Sequence, residues 1–204
     1  PVTACDYLDY RPSIQWAYSL FTGASVYDNK HGYQQLTRLF PSKRVNGLRP
    51  QKPEAKDLNT GYQLLANGPT RCYMRTPNLA FRPSCCDALH IDLWLNHQNI
   101  LVGTGSYSYN CEEELQNYFP SVMAHNTVQL DEKEQMPKLS RFLYSHWIKT
   151  KITEKSKNRI SASYQNHARH KHQRELSLAS QSLSITDTIS GFHKRATLRW
   201  HLGP

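Results

Sequence analysis

The chain changes its hydrophobic period once along its length. In the first 45 or so residues the apolar positions recur at helical spacing. Ser13 follows Arg11-Pro12 as a helix start, and Ile14, Tyr18 and Phe21 then fall on one stripe that runs up to Gly23. A second short helix fits Tyr33 to Phe40, and Pro41 stops it. Residues 46–57 belong to a polar stretch rich in Pro, which reads as a linker. From about residue 58 the period is two. Leu89, Ile91, Leu93 and Leu95 face one way, and His90, Asp92, Trp94 and Asn96 the other. Asn96-His97-Gln98 is a turn, after which Ile100 and Val102 continue in a partner strand. Alternation returns at Asn126/Val128/Leu130, Ile160/Ala162/Tyr164, Leu176/Leu178, Leu183/Ile185 and Leu198/Trp200/Leu202. Many short strands divided by turns predict a mainly β chain, an antiparallel β-sandwich behind a short N-terminal helical segment. The predicted organisation is therefore 1–45 helical, 46–57 linker and 58–204 sandwich.

The chain has 204 residues and no initiator Met, and its last strand runs into the final residues. It reads as a piece of a longer chain whose sandwich continues past residue 204. No apolar run approaches the ~18 residues of a membrane-spanning helix. Tyr is abundant, at 12 residues, which suits strands. The five Cys include the neighbours Cys85 and Cys86 and form no C-x-x-C pair, so neither a disulfide framework nor a zinc ribbon is expected. Each Cys reads as a small apolar core residue.

Charge adds a candidate partner. The formal net charge is +9, and part of the excess is local. Between Lys149 and Glu175 stand Lys149, Lys151, Lys155, Lys157, Arg159, Arg169, Lys171 and Arg174, against Glu154 and Glu175. His167, His170 and His172 lie in the same stretch. A basic surface of this kind suits a polyanion: nucleic acid, a membrane surface or an acidic polysaccharide. Nucleic acid is disfavoured, because no recognition-helix or RRM-type signature accompanies the charge. The alternative is a solvated strand face. Glu112-Glu113-Glu114 reads as an exposed loop without the spacing of a calcium site. No phosphate-binding loop, dinucleotide fingerprint, nucleophile elbow or H-E-x-x-H motif is present.

Residues 81–147 carry a more specific signal. The strings are DALHIDLW at 87–94, GSYSYN at 105–110, NYF at 117–119, AHNTV at 124–128 and QMPKLSRF at 135–142. Together, in this order, they resemble the heparinase II/III-like family. CDYLDYRPSIQ at 5–15 resembles the end of that family's helical domain, and LRWHLGP at 198–204 a late strand of its sheet. The resemblance implies an (α/α) toroid followed by an antiparallel sandwich, with this chain holding the toroid's last helices and most of the sandwich. It implies β-elimination on acidic, uronic-acid-containing polysaccharide, in a bacterial periplasmic or envelope setting. That chemistry needs a cation or hydrogen-bond donor for the uronate carboxylate, a base for the C5 proton and an acid for the leaving oxygen.

The same resemblance places a metal in the sandwich of some members. Its three ligand positions fall on Cys85, Gly103 and His125, so the His is retained, a His is exchanged for Cys, and an Asp is lost. Cys85 and His125 are both competent zinc ligands, and zinc is the implied metal. The family's upstream catalytic His falls near Pro83 and is absent.

Several side chains then carry two readings each. His125 enters a strand from a loop and is the leading candidate for catalysis; otherwise it orders that loop by hydrogen bonding. Tyr107 is a candidate base or acid, with Tyr109 on the same face; otherwise both are strand core. His90 is a sheet-packing residue or a ligand. Tyr10, Arg11, Trp94 and Asn126 are candidate substrate contacts, and Trp147 and Trp200 are further stacking surfaces; Trp94 and Trp200 otherwise pack in their strands. Two functional readings follow. The chain is part of a lyase, or it is a glycan-binding or structural module that kept the fold and lost the chemistry.

Overall fold

The computed structural model describes residues 9–27, 61–180 and 182–203. The expected helix at Tyr33–Phe40 and the 46–57 linker lie outside the described residues. The chain divides into two compact units, Pro1–Glu54 and Ala55–Pro204.

In the first unit, α1 spans Arg11–Thr22. Pro12 sits in its first turn, where the missing N–H costs nothing, and Gly23 closes it at φ 70. The expected apolar stripe is only partly covered. Ile14 and Phe21 are exposed, whereas Gln15 and Ser19 are buried. The reason is polar: the Gln15 Oε1 accepts the N–H groups of Val26 and Tyr27 at 3.0 and 2.9 Å, which ties the following chain to the helix.

The second unit is a sandwich of two four-stranded antiparallel sheets with two small ribbons. The first sheet is a meander of β1 (Tyr62–Asn67), β2 (Thr70–Arg75), β3 (Ile91–Leu95) and β4 (Gln98–Leu101). Leu95 pairs with Gln98 across Asn96 and His97, both at positive φ, the conformation of the tight hairpin turn that matches strand twist. The second sheet runs β11 (Leu183–Ser190), β10 (Lys171–Leu178), β9 (Arg159–Gln165), β8 (Lys151–Lys155). The two sheets close on one core. Leu65, Cys72, Met74 and Ile91 from the first meet Ile160, Ala162, Leu176 and Leu178 from the second. Each fully covered Leu or Ile contributes about 1.5–3 kcal/mol relative to exposure. Cys72 and Cys86 are in this core, as expected of apolar Cys.

β5 (Val128–Leu130) pairs with β12 (Ala196–Leu198), and β6 (Lys138–Ser140) with β7 (Leu143–Tyr144). A short helix, α2 (Glu113–Tyr118), and a 3₁₀ turn at Val122–Ala124 complete the unit. The Glu112–Glu114 run is therefore not a loop. It supplies the N-cap and first turn of α2, where carboxylates favour the helix dipole.

Three expectations about individual faces change. Leu89 is buried but precedes β3, with φ 59, so the strand starts at Ile91. Leu198, Trp200 and Leu202 do share spacing, yet each remains substantially exposed. The basic stretch is not one solvated face. Arg174 and His172 are fully buried and His170 nearly so, because β10 turns alternate residues inward and its core face reads His172, Arg174, Leu176, Leu178. Lys149, Lys151, Lys155 and Lys157 are exposed, along edge strand β8 and its flanks.

Candidate functional site

The site is assembled on the segment from Ala88 to Ile91, which four side chains clamp from outside. Gln135 makes both of its amide bonds to Ala88, at 2.9 Å to the N–H and 3.0 Å to the carbonyl. Thr127 Oγ1 donates to the same carbonyl at 2.9 Å. Asn126 Nδ2 donates to the Ile91 and Val102 carbonyls at 2.9 and 3.0 Å. Arg174 Nη1 donates to the Leu89 and Asn126 carbonyls, and its other nitrogens form a two-pronged pair with Asp187 at 2.7 and 2.9 Å. These groups are buried and satisfied, so they fix the loop rather than meet a ligand. Asn126 is accordingly a correction to the expected substrate contacts. It is fully buried, and its Oδ1 accepts the His201 N–H at 2.6 Å.

His125 is held in one orientation by the 3₁₀ turn that precedes it. Its Nδ1 lies 2.7 Å from the Ser121 carbonyl, an oxygen that only accepts, so Nδ1 carries the proton and Nε2 keeps the lone pair. Ser121 is itself fixed as the cap of the 3₁₀ turn, its Oγ accepting the Met123 N–H at 3.2 Å. Burial holds the His125 pKa below the ordinary imidazole range, against the opposing pull of the Ser121 carbonyl and Asp87. His125 is thus a neutral imidazole at neutral pH. His90 packs edge-on against it with ring centroids 5.3 Å apart. The His90 Nδ1 accepts the Asn126 N–H at 2.9 Å, and burial first, then His125, push its pKa down to about 3. His90 is the packing residue of its two readings.

His125 lines a cleft of about 130 Å³ together with Cys85, Tyr109, Gln116, Phe119, Arg141 and Phe142. This is smaller than the ~300–1,000 Å³ of a typical small-molecule pocket. Arg141 brings a permanent cation, Tyr109 a hydroxyl, and Phe119 and Phe142 flat apolar walls. Tyr107 and Tyr109 are not strand core. They lie in the irregular segment after β4 and are 69% and 67% exposed. Tyr107, at φ 53, stacks on Phe119 with centroids 5.3 Å apart, and Tyr109 meets Phe142 edge-on at 5.7 Å. Of the two, Tyr109 lines the cleft, and Tyr107 covers its Phe119 wall.

The other expected contacts fall elsewhere. Trp94 is partly exposed on β3, opposite Arg71, and does not line the cleft. Tyr10 is exposed at the start of α1, and Arg11 pairs with Asp9 at 2.7 Å; both belong to the first unit. The Trp147 Nε1 donates to the Tyr144 carbonyl at 2.7 Å, and Trp200 packs beneath the Arg174 guanidinium at 5.3 Å. Sequence reasoning missed Arg141, although it stands in the QMPKLSRF string; a cation between Ser140 and an exposed Phe142 was its only mark.

The three positions implied as metal ligands do gather in one region. Cys85 and His125 share the cleft, and a side chain at Gly103 would stand 3.4 Å from the His90 Nε2. The donor set is nonetheless poor for zinc. Among the described residues no group of three or more His, Cys, Asp or Glu is close enough to hold an ion. Burial pushes the Cys85 thiol up to about 12, and Asp87 is paired with Arg75 at 3.0 Å. Two donors without a third do not make a tight site.

Comparison with known proteins agrees with this architecture. Residues 49–204 match the family described as heparinase II/III-like, C-terminal. Two solved structures share the fold. One is the heparinase III-BT4657 gene product, at 20% identity and TM-score 0.58 over 86% of this chain and 27% of that one. The other is a mutant of the heparan sulfate lyase HepC from Pedobacter heparinus, at 18% identity and TM-score 0.58 over 95% of this chain and 29% of that one. The chain thus spans less than a third of the length of these structures. No curated protein matches. With more than half of its residues inside that family match, the chain belongs to the heparinase II/III-like family and carries its C-terminal, β-rich domain.

Proposed function

We propose that the protein containing this domain cleaves uronic-acid-containing polysaccharide by β-elimination, with the His125 cleft as part of its active site. One observation carries the reading. A neutral imidazole, anchored through Nδ1, shares a cleft with an arginine and a tyrosine hydroxyl. Arg141 would pair with the uronate carboxylate and make the C5 proton acidic. The His125 Nε2 would take that proton as the electrons form the C4–C5 double bond and the C4–O4 bond breaks. The Tyr109 hydroxyl would protonate the departing oxygen. Phe119 and Phe142 would face the sugar ring. No step requires a metal. The bacterial envelope, where acidic glycans are exposed, is the setting this reading favours.

The test is release of unsaturated uronate, followed by ultraviolet absorbance, from a panel of acidic glycans. The expected result is product from at least one glycan and a loss of about 100-fold or more in H125Q, the size of a general-base contribution. No product from any glycan would overturn the lyase reading.

A second reading has an observation of its own: the incomplete donor set at Cys85, Gly103 and His125. It makes the domain a glycan-binding module without turnover. Saturable binding with no product, weakened by R141Q, is its signature.

A further inference from the structure

We propose that Glu134 is a positioning residue for His125: by gripping the peptide unit between Ser121 and Val122, it fixes the imidazole tautomer that proton abstraction needs. The inference rests on the reading of His125 as the base and adds a residue that acts through it.

Two groups hold opposite ends of that one peptide unit. At its carbonyl end, the His125 Nδ1 donates to the Ser121 oxygen at 2.7 Å. The Ala124 N–H closes the 3₁₀ turn on the same oxygen at 3.2 Å. At its other end, the Val122 N–H donates to the Glu134 Oε2 at 2.8 Å. A peptide unit is planar, so its C=O and N–H turn together. A carboxylate that fixes the N–H therefore fixes where the carbonyl points, and the ring follows the carbonyl. Val122 opens the turn, so its N–H finds no partner within it and needs one from outside. Burial raises the Glu134 pKa, and the Val122 N–H is the first group to oppose that rise, as expected of a donor facing the carboxylate.

The chain delivers Glu134 from a fixed turn. Asp131 and Glu132 are both at positive φ, and the Lys133 N–H returns to the Leu130 carbonyl at 3.0 Å. The Asp131 carboxylate accepts the N–H groups of His193, Lys194 and Arg195 at 3.0, 2.7 and 3.2 Å. Directly after Glu134, Gln135 bonds the N–H and the carbonyl of Ala88. Two adjacent side chains thus tie the turn before His125 and the Ala88 segment to one piece of backbone. Glu134 does not line the His125 cleft, so it acts through the peptide and not on substrate.

The experiment combines histidine-resolved nitrogen NMR, the rate of unsaturated-uronate release and melting temperature for E134A, E134Q and E134D. In E134A the His125 signals should move from a ring protonated at Nδ1 toward exchange between the two tautomers, while His172, held by Asp187, keeps its signals. The kcat should fall about 10-fold, the size of one hydrogen bond to a charged group, with KM little changed. E134Q, whose amide oxygen can accept the same N–H, should recover most of the loss. E134D, one methylene short, should not, and it takes the place of E134A if that variant fails to fold. If E134A or E134D melts lower but keeps His125 protonated at Nδ1, or if E134Q loses as much as E134A, Glu134 does not position the ring and the inference falls. The lyase reading then stands on the turnover of the unmodified protein. If the unmodified protein releases no product, the lyase reading falls, and the tautomer in E134A still decides whether Glu134 holds the ring.

Discussion

His125 and His172 are both buried imidazoles with one nitrogen fixed to an oxygen, yet their surroundings give them different work. The His125 Nδ1 is held by a neutral carbonyl, and the ring reaches a cleft with Arg141 and Tyr109. The His172 Nε2 is held by Asp187 at 2.7 Å, its Nδ1 has no partner, and no part of the residue meets solvent. Arg174, in contact with both regions, completes the sealed cluster through Asp187 and reaches the carbonyl of Asn126, the residue after His125. The sealed cluster is the support, and the open one is the site. Local charge density alone would have chosen the wrong one, since His172 and Arg174 stand in the most basic stretch of the chain.

The comparison breaks most visibly at Asp187. D187A leaves Arg174 buried without its counter-charge, which costs about 3–5 kcal/mol. Urea unfolding should show a drop of that size, and an unchanged midpoint would mean that the cluster carries no stability. N126A comes next. It removes the amide that bonds the Ile91 and Val102 carbonyls and the His201 N–H, and a loss of about 1–3 kcal/mol is expected in the same assay.

Acid should expose an effect shared by both clusters. Burial holds His90, His125 and His172 below the ordinary imidazole range. They stay neutral in the folded chain and gain protons on unfolding. Their stabilising effect is full above the unfolded value of about 6.5 and is lost as pH falls toward the His90 value of about 3. Melting temperature should therefore fall across that window. H90N, which keeps an acceptor for the Asn126 N–H without a titrating ring, should flatten part of the slope; an unaltered slope would remove His90 from the account. Smallest of all, H125Q should cost about 0.5–1.5 kcal/mol, the size of the one hydrogen bond to the Ser121 carbonyl that it disturbs. A larger loss would make His125 a structural residue.

How far the sequence leads differs between fold and site. Strand alternation at Ile160–Tyr164 and Leu176–Leu178, and the Asn96-His97 turn, are legible because period and turn chemistry are local properties. The polar interior of β10 is not. Inward alternation of His172 and Arg174 becomes credible only once Asp187 on β11 and the Leu89 and Asn126 carbonyls are found beside them, and those partners lie far away in the chain. The same holds for the strings that carry the family resemblance. Asn126 reads as a substrate contact in sequence, yet with Thr127 and Gln135 from the same strings it clamps the Ala88–Ile91 backbone. Tyr109 and Arg141 reach the cleft from irregular or short elements, where no periodicity marks which way a side chain turns.

Histidine-resolved nitrogen NMR, with a uronate oligosaccharide titrated into the protein, addresses the central claim most directly. His125 should report a neutral ring protonated at Nδ1, its Nε2 signal should move saturably as ligand is added, and His172 should stay still. A His125 signal indifferent to ligand at saturation, or one moving no more than that of His172, would contradict the account.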